Sequence, residues 1–153
     1  MSIDIKLIDP YVVSALQKIG WHENRKIDIS YWKAVLKNEG YIIIDYAEEL
    51  LENFGGIEVN SIIATIYSCA QFDFDPLNAA SGEFDRINYY QSTTHDQLYP
   101  IGSLVEGIAY VGLSKKIYWG SVDKIYLVGN CIENYLNNLF SWKKSNIIKL
   151  VLL

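Results

Sequence analysis

The chain has 153 residues, and its hydrophobic fraction of 50% and aromatic fraction of 14% exclude a disordered or low-complexity protein. This length is enough to bury the core of one domain. The formal net charge of −5 makes nucleic acid a poor partner, because phosphate binding needs a clustered basic surface. The start lacks the features of a secretory signal and the apolar C-terminal run is too short to span a bilayer, so we expect a cytoplasmic protein that does not contact membranes.

The negative charge is concentrated in the middle of the chain. Residues 41–110 have eleven acidic residues and one basic residue, whereas the segments before and after them have net charges of +1 and +4. Such an acidic segment is suited to attracting a basic protein. A solvated surface that only keeps the protein in solution is the simpler explanation, so the segment alone does not establish a binding site.

Two short helices are predicted before residue 41. Asp9 is a helix cap followed by proline, and the first helix ends at Gly20. Asp28 or Ser30 caps the second helix, which ends at Gly40. In both segments apolar residues recur three and four positions apart, which predicts one inward face for each helix.

A third helix is predicted from Asp45 to Phe54, again with an apolar face. Two glycines follow it and predict a left-handed turn out of the helix. The other face has an acidic stripe without a cation in it, formed by Asp45, Glu48, Glu49 and Glu52. Like charges at this spacing cost about 0.2–0.5 kcal/mol per pair. Binding of a partner is one reason for a protein to keep such a stripe.

The next stretch is predicted to be extended. Residues 57–70 are rich in β-branched side chains, which predicts a hairpin or a short strand leading into a longer one, with a turn at Asn60. Phenylalanines then alternate with Asp73 and Asp75, so both carboxylates lie on one side of a strand. Residues 76–98 predict a long connection that can include a short helix.

The C-terminal half predicts an antiparallel meander followed by a helix. The predicted strands cover residues 98–105, 108–113, 116–119 and 124–128. Asn130 is the predicted cap of the final helix. The whole chain, 1–153, is therefore predicted to be one α+β domain with a core at about residues 9–140, in which a central, mostly antiparallel sheet is flanked by N-terminal helices and one C-terminal helix. Residues 141–153 form an extension whose apolar side chains predict an edge strand or a dimer contact.

Several short motifs occur in a defined order along the chain. They are Gly20-Trp21, Arg25, Gly40-Tyr41, Phe54-Gly55-Gly56, Phe72-x-Phe74-Asp75-Pro76, Leu98-x-Pro100-Ile101-Gly102 and Val128-Gly129. This order resembles the third subgroup of the SUKH superfamily of immunity proteins, and the resemblance covers about residues 15–140.

The resemblance implies a non-catalytic bacterial protein that binds and neutralises a cognate toxin, commonly a nuclease or deaminase, without a cofactor or metal. Because of the apolar C-terminal extension, we expect either a monomer or a homodimer. It also implies structural roles for the residues that carry the motifs, namely Gly20, Trp21, Arg25, Phe54, Gly55, Gly56, Pro100 and Gly102. The acidic middle of the chain predicts a basic toxin. The candidate contacts are Asp45, Glu48, Glu49, Glu52, Asp73 and Asp75.

Two other functions stay open. An intracellular adaptor of the same fold would use the same surfaces to bind a protein or a peptide. A metal-dependent enzyme would use Asp73 and Asp75, because two carboxylates on one strand face can hold a divalent cation. No catalytic motif accompanies this pair, and His22 and His95 are isolated, so the enzyme is the weaker hypothesis.

Overall fold

The computed structural model describes residues 3–142, and nearly all of the C-terminal extension lies outside them. The helices are α1 (Pro10–Lys18), α2 (Ser30–Glu39), α3 (Asp45–Phe54), α4 (Ser61–Tyr67), α5 (Pro76–Ala80), α6 (Ile87–Thr94) and α7 (Ile132–Phe140), with 3-10 turns at Ile5–Leu7 and Phe84–Arg86. The strands are β1 (Glu58–Val59), β2 (Phe72–Asp73), β3 (Leu98–Leu104), β4 (Gly107–Gly112), β5 (Ile117–Ser121) and β6 (Lys124–Gly129).

These strands form one antiparallel sheet in chain order from β1 to β6. Helices α3 and α5 pack against β3, α6 packs against β3 and β6, and α7 packs against β6. The predicted α+β class, with a central antiparallel sheet, helices before it and one helix after it, is confirmed. None of the helices in the described part of the chain has the length and apolarity that a membrane span needs.

One apolar core joins the helices to the sheet. The apolar faces of α3 and α7 are buried. They consist of Ala47, Leu50, Leu51 and Phe54 in α3 and of Ile132, Tyr135, Leu136, Leu139 and Phe140 in α7. Both helices are therefore oriented by apolar faces that repeat at the helical spacing.

A buried hydrogen-bond network ties the segment before α2 to α3. The Trp21 side chain is 2% exposed, its ring stacks on Phe54 at 5.6 Å, and its Nε1 donates to Asn53 Oδ1 at 2.8 Å. The Asn53 amide donates to the carbonyls of Glu23 and Arg25 at 3.0 and 3.1 Å. Arg25 Nη1 in turn donates to the Asn53 carbonyl at 2.8 Å. Asn53 thus links α3 to Trp21, Glu23 and Arg25, so α3 is held in place by polar as well as apolar contacts.

The motif around residue 100 lies inside β3. The pairing of β3 with β4 shifts between Pro100 and Gly102, which marks a β-bulge. A Cβ atom at Gly102 would overlap the backbone carbonyl of Asp73, so only glycine lets β2 approach this closely.

Residues 61–67 form helix α4, so the predicted hairpin and the predicted longer strand within residues 57–70 are both wrong. Only a short strand, β1, precedes the helix. The side chain of Asn60 accepts hydrogen bonds from the backbone amides of Ile62 and Ile63, at 3.1 and 3.0 Å. This cap satisfies two amide groups that a helix start leaves unpaired. It stabilises a helix over a sequence whose β-branched residues favour a strand.

The predicted connection over residues 76–98 is mostly helical and contains α5 and α6. The Asp75 carboxylate accepts a hydrogen bond from the Asn78 amide at 2.9 Å, and Pro76 is the first residue of α5. An acidic cap followed by proline is a strong helix start, which explains why the chain turns into a helix here.

Two caps differ from the sequence prediction. Ile29 is the residue before α2, and the Asp28 carboxylate accepts from the backbone amide and the hydroxyl of Ser30, at 2.9 and 2.6 Å. Cys131, not Asn130, precedes α7, and neither helix has a side-chain hydrogen bond from its N-cap residue. The backbone amide of Asn130 instead donates a hydrogen bond to Asn134 Oδ1 of α7, at 3.0 Å.

The turn out of α3 uses its two glycines differently. Gly56 has φ +82°, the left-handed backbone that the sequence predicts. Gly55 has φ −51°, so the prediction of a left-handed conformation at this position is wrong. Its Cβ would instead overlap the Leu51 carbonyl and lie 2.7 Å from side-chain atoms of Ile27 and Trp32, so the position is restricted by space.

Candidate functional site

The acidic stripe lies on the face of α3 opposite the core. Asp45 is exposed, and Glu48, Glu49 and Glu52 are half-buried. The buried apolar face fixes the rotation of the helix about its axis, so the four carboxylates must point away from the sheet. The spacing seen in the sequence therefore gives one continuous acidic surface.

Helix α3 itself has no cation in the stripe, but two lysines from outside the helix approach it. Lys33 of α2 lies 2.7 Å from Glu48, measured from Nζ to Oε2, and Lys26 lies 3.9 Å from Glu52. The hydrogen bond with Glu48 raises the pKa of Lys33. Two of the four carboxylates are therefore beside an ammonium group, and Asp45 is exposed. The stripe is thus a weaker attractor than the sequence indicates, because α2 brings a lysine to it.

Asp73 and Asp75 carry internal hydrogen bonds instead of forming an open pair. Asp73 accepts from the Ser103 amide at 3.0 Å, from the Ser103 hydroxyl at 2.6 Å and from the Asp75 amide at 3.0 Å. Asp75 caps α5. Residues 3–142 contain no group of three or more histidine, cysteine, aspartate or glutamate side chains that could hold a metal ion. These two carboxylates fasten β2 to β3 and start α5, and this use leaves them little freedom to contact a partner.

An apolar groove lies beside the acidic stripe, and the sequence analysis missed it. The groove has a volume of about 540 Å³ and is lined by Lys33, Ala34 and Lys37 of α2, by residues 40–43 and by Tyr99 of β3. Within the linker Ile42 is 69% exposed and Ile43 is 37% exposed. The signal available in the sequence was a run of four apolar residues, 41–44, between two helices, where a polar connection is usual.

The floor of the groove is held by tyrosine rings. Tyr99 is 1% exposed, and the Tyr41 ring meets it edge-on at 6.2 Å. The Tyr41 hydroxyl donates to the Ala80 carbonyl at 3.1 Å, and its ring packs edge-on against Phe84 at 4.9 Å. Burial, with a smaller contribution from Glu48, raises the pKa of the Tyr99 phenol to about 12, so this hydroxyl stays protonated at neutral pH. The floor is therefore held in place by one hydrogen bond and by ring contacts.

The rim of the groove differs in charge from the stripe. Lys33 is engaged by Glu48, so its ammonium group belongs to both surfaces. Lys37 is exposed, and no acidic side chain among residues 3–142 forms an ion pair with it. The groove and the stripe are contiguous through Lys33, and a single partner that contacts one of them can reach the other.

Comparison with known proteins gives one match. A family model described as SUKH-3 immunity protein matches residues 8–141 of the chain. No curated protein and no solved structure matches it. The matched range includes the Trp21 network, the acidic stripe and the groove.

Proposed function

Since the chain belongs to the SUKH-3 immunity protein family, as the motif order predicted, we propose that it is a bacterial protein that binds a cognate toxin and neutralises it. The observation that carries this proposal is the extent of the family match, which spans residues 8–141 and so includes every helix from α1 to α7. We expect the protein to act in the cytoplasm, as a monomer or a homodimer, without contacting nucleic acid or membranes.

The proposed mechanism is occlusion of the toxin, without catalysis by this chain. The two aspartates that the sequence offered as a metal pair make structural hydrogen bonds to Ser103 and to the start of α5. This use of both carboxylates favours a binding protein over the metal-dependent enzyme. A bound protein that covers the toxin's substrate surface blocks it without touching a catalytic residue.

The acidic stripe supports a basic toxin, such as a nuclease domain. A nuclease needs a positive surface to hold phosphates. Two of the four carboxylates in the stripe contact a lysine, and the stripe lies in a segment, 41–110, with a net charge of −10. Opposite potentials accelerate the encounter of two proteins and orient them before contact. The stripe is therefore proposed to act mainly on the association rate.

The test uses the purified toxin domain encoded beside the gene of this chain and a triple variant, Asp45→Asn, Glu48→Gln and Glu52→Gln. We expect the wild type to bind it, with an association rate that falls as salt concentration rises. In the triple variant the association rate at low salt should fall about tenfold, because the steering charge is removed. Stopped-flow fluorescence measures this rate, and calorimetry measures the affinity.

The matched control removes the same charge elsewhere, with Glu58→Gln, Glu106→Gln and Asp123→Asn, all at exposed positions. Its association rate should fall much less, because only the general charge of the protein changes. Equal rates for the two triple variants would show that the stripe is not the contact surface. A wild-type protein that neither binds the toxin nor inhibits it would refute the proposed function itself.

A further inference from the structure

The groove exposes apolar surface that the acidic stripe does not explain. Ile42 and Ile43 are adjacent, large and aliphatic, and they are 69% and 37% exposed above a floor made by Tyr41 and Tyr99. Contiguous apolar surface left open to water is typical of protein interaction sites. The groove is open in this structure and its floor is held by the contacts of Tyr41, so a partner would meet a formed cleft.

The polar groups of the groove define the chemistry of an occupant. The Lys37 ammonium group stands at the rim without an acidic partner among the described residues. The Tyr99 side chain is 1% exposed and lines the groove, and its hydroxyl forms no hydrogen bond within residues 3–142. Lys37 is a cation, and the Tyr99 hydroxyl can donate a hydrogen bond, so a carboxylate on the occupant would complement both groups.

The position of the groove favours the toxin as the occupant. Lys33 lines the groove and bonds Glu48 of the acidic stripe, so one protein surface can cover both. Protein interfaces commonly have an apolar centre, which contributes most of the affinity, and a charged surround. The groove would supply the centre and the stripe part of the surround.

We propose that the groove receives from the toxin a large apolar side chain together with a neighbouring carboxylate, and that this carboxylate pairs with Lys37. This inference rests on the proposed function and adds the identity of the toxin segment that this chain recognises. The segment is apolar and acidic at the groove, although the toxin surface that faces the stripe is basic.

The first test compares Ile42→Ser with Ile62→Ser. Ile42 and Ile62 are 69% and 70% exposed, and Ile62 lies on α4, outside the residues that line the groove, so it is a matched control. With the purified toxin domain, Ile42→Ser should raise Kd about tenfold or more through a faster dissociation rate. Ile62→Ser should leave Kd within about twofold of the wild type. Thermal unfolding should be unchanged in both, since neither side chain is in the core.

The second test examines the carboxylate with Lys37→Glu, and Lys124→Glu is its control. Both lysines are exposed and the two variants have the same net charge. A carboxylate beside Lys37 predicts that Lys37→Glu weakens toxin binding at least about threefold more than Lys124→Glu does.

Each outcome decides one statement. If Ile42→Ser binds the toxin as tightly as Ile62→Ser, the groove is not part of the interface, while the proposed function stands. If Lys37→Glu binds no more weakly than Lys124→Glu, the occupant has no carboxylate and the inference is overturned. A toxin that does not bind the wild type removes the proposed function and this inference with it.

Discussion

At the residue scale, two adjacent glycines show that one residue type can be required for two physical reasons. A side chain at Gly56 would have room, since its Cβ would meet only Arg25 Nη2 at 3.7 Å, but the φ of +82° disfavours most residues. At Gly55 the backbone angle suits any residue, but a Cβ would overlap the Leu51 carbonyl. The sequence predicted the glycine turn, but it could not distinguish a conformational requirement from a spatial one.

The same substitution at both positions separates the two reasons. Gly56→Asn should cost less than about 1 kcal/mol, because asparagine tolerates the left-handed conformation. Gly55→Asn should cost about 1–3 kcal/mol or more, because backbone and side chains must move to admit the new atoms. Urea unfolding monitored by circular dichroism measures both values. Similar losses for the two variants would contradict this division.

At the scale of elements, the sequence predicted those whose side chains follow a regular repeat. The bounds of α3 and the four strands of the meander lie within two residues of the prediction, because their apolar periodicity is strong. Helix α4 was missed because its isoleucines and threonine favour strands when taken alone, and the two hydrogen bonds to Asn60 decide the outcome.

Removing that cap is a direct test of why α4 is a helix. Asn60→Ala should lower the free energy of unfolding by about 1 kcal/mol, the usual effect of losing such a cap, whereas Asn60→Asp should keep most of it. Hydrogen exchange at the amides of Ile62 and Ile63 should be faster in the alanine variant, because these groups lose their acceptor. If exchange and stability match the wild type, the helix is held by tertiary packing alone.

The candidate site was predictable only in part, because some of its features follow from local sequence and others from tertiary packing. The spacing of the carboxylates indicated the stripe, because helix geometry is local. The approach of Lys33 to Glu48 and the exposure of Ile42 depend on how α2 packs against α5 and how the linker packs against Tyr99 of β3. No local pattern encodes that packing. The lysine contacts of the acidic stripe and the apolar groove therefore could be identified only from the folded structure.

At the scale of the whole molecule, the core contains phenol groups that burial keeps neutral. Burial raises the pKa of Tyr99 and of Tyr118 to about 12, and it also raises the pKa of Tyr110 and Tyr135. In the unfolded chain these groups ionise near their ordinary pKa of about 10. The folded state then binds more protons than the unfolded state above that pH, so stability must fall as pH rises.

We therefore expect the free energy of unfolding to be constant up to about pH 9 and to decline between about pH 10 and 12. A single tyrosine shifted to about 12 accounts for up to about 2–3 kcal/mol of this decline. Tyr99→Phe should reduce the decline, whereas Tyr89→Phe, at a position 54% exposed, should not. Urea unfolding at a series of pH values measures this. Identical pH profiles for the two variants would rule out Tyr99 as a source.

The two sides of α3 have different roles, because the inner side anchors the helix and the outer side carries the acidic stripe. Every contact that anchors the helix through Asn53, Trp21 and Phe54 lies on its inner side or at its end. On the outer side Glu48 and Glu52 pair with Lys33 and Lys26, whereas Asp45 is exposed. Under the proposed function, substitutions at Asp45 and Ile42, both exposed, would alter the contact with the toxin and leave these anchoring contacts in place.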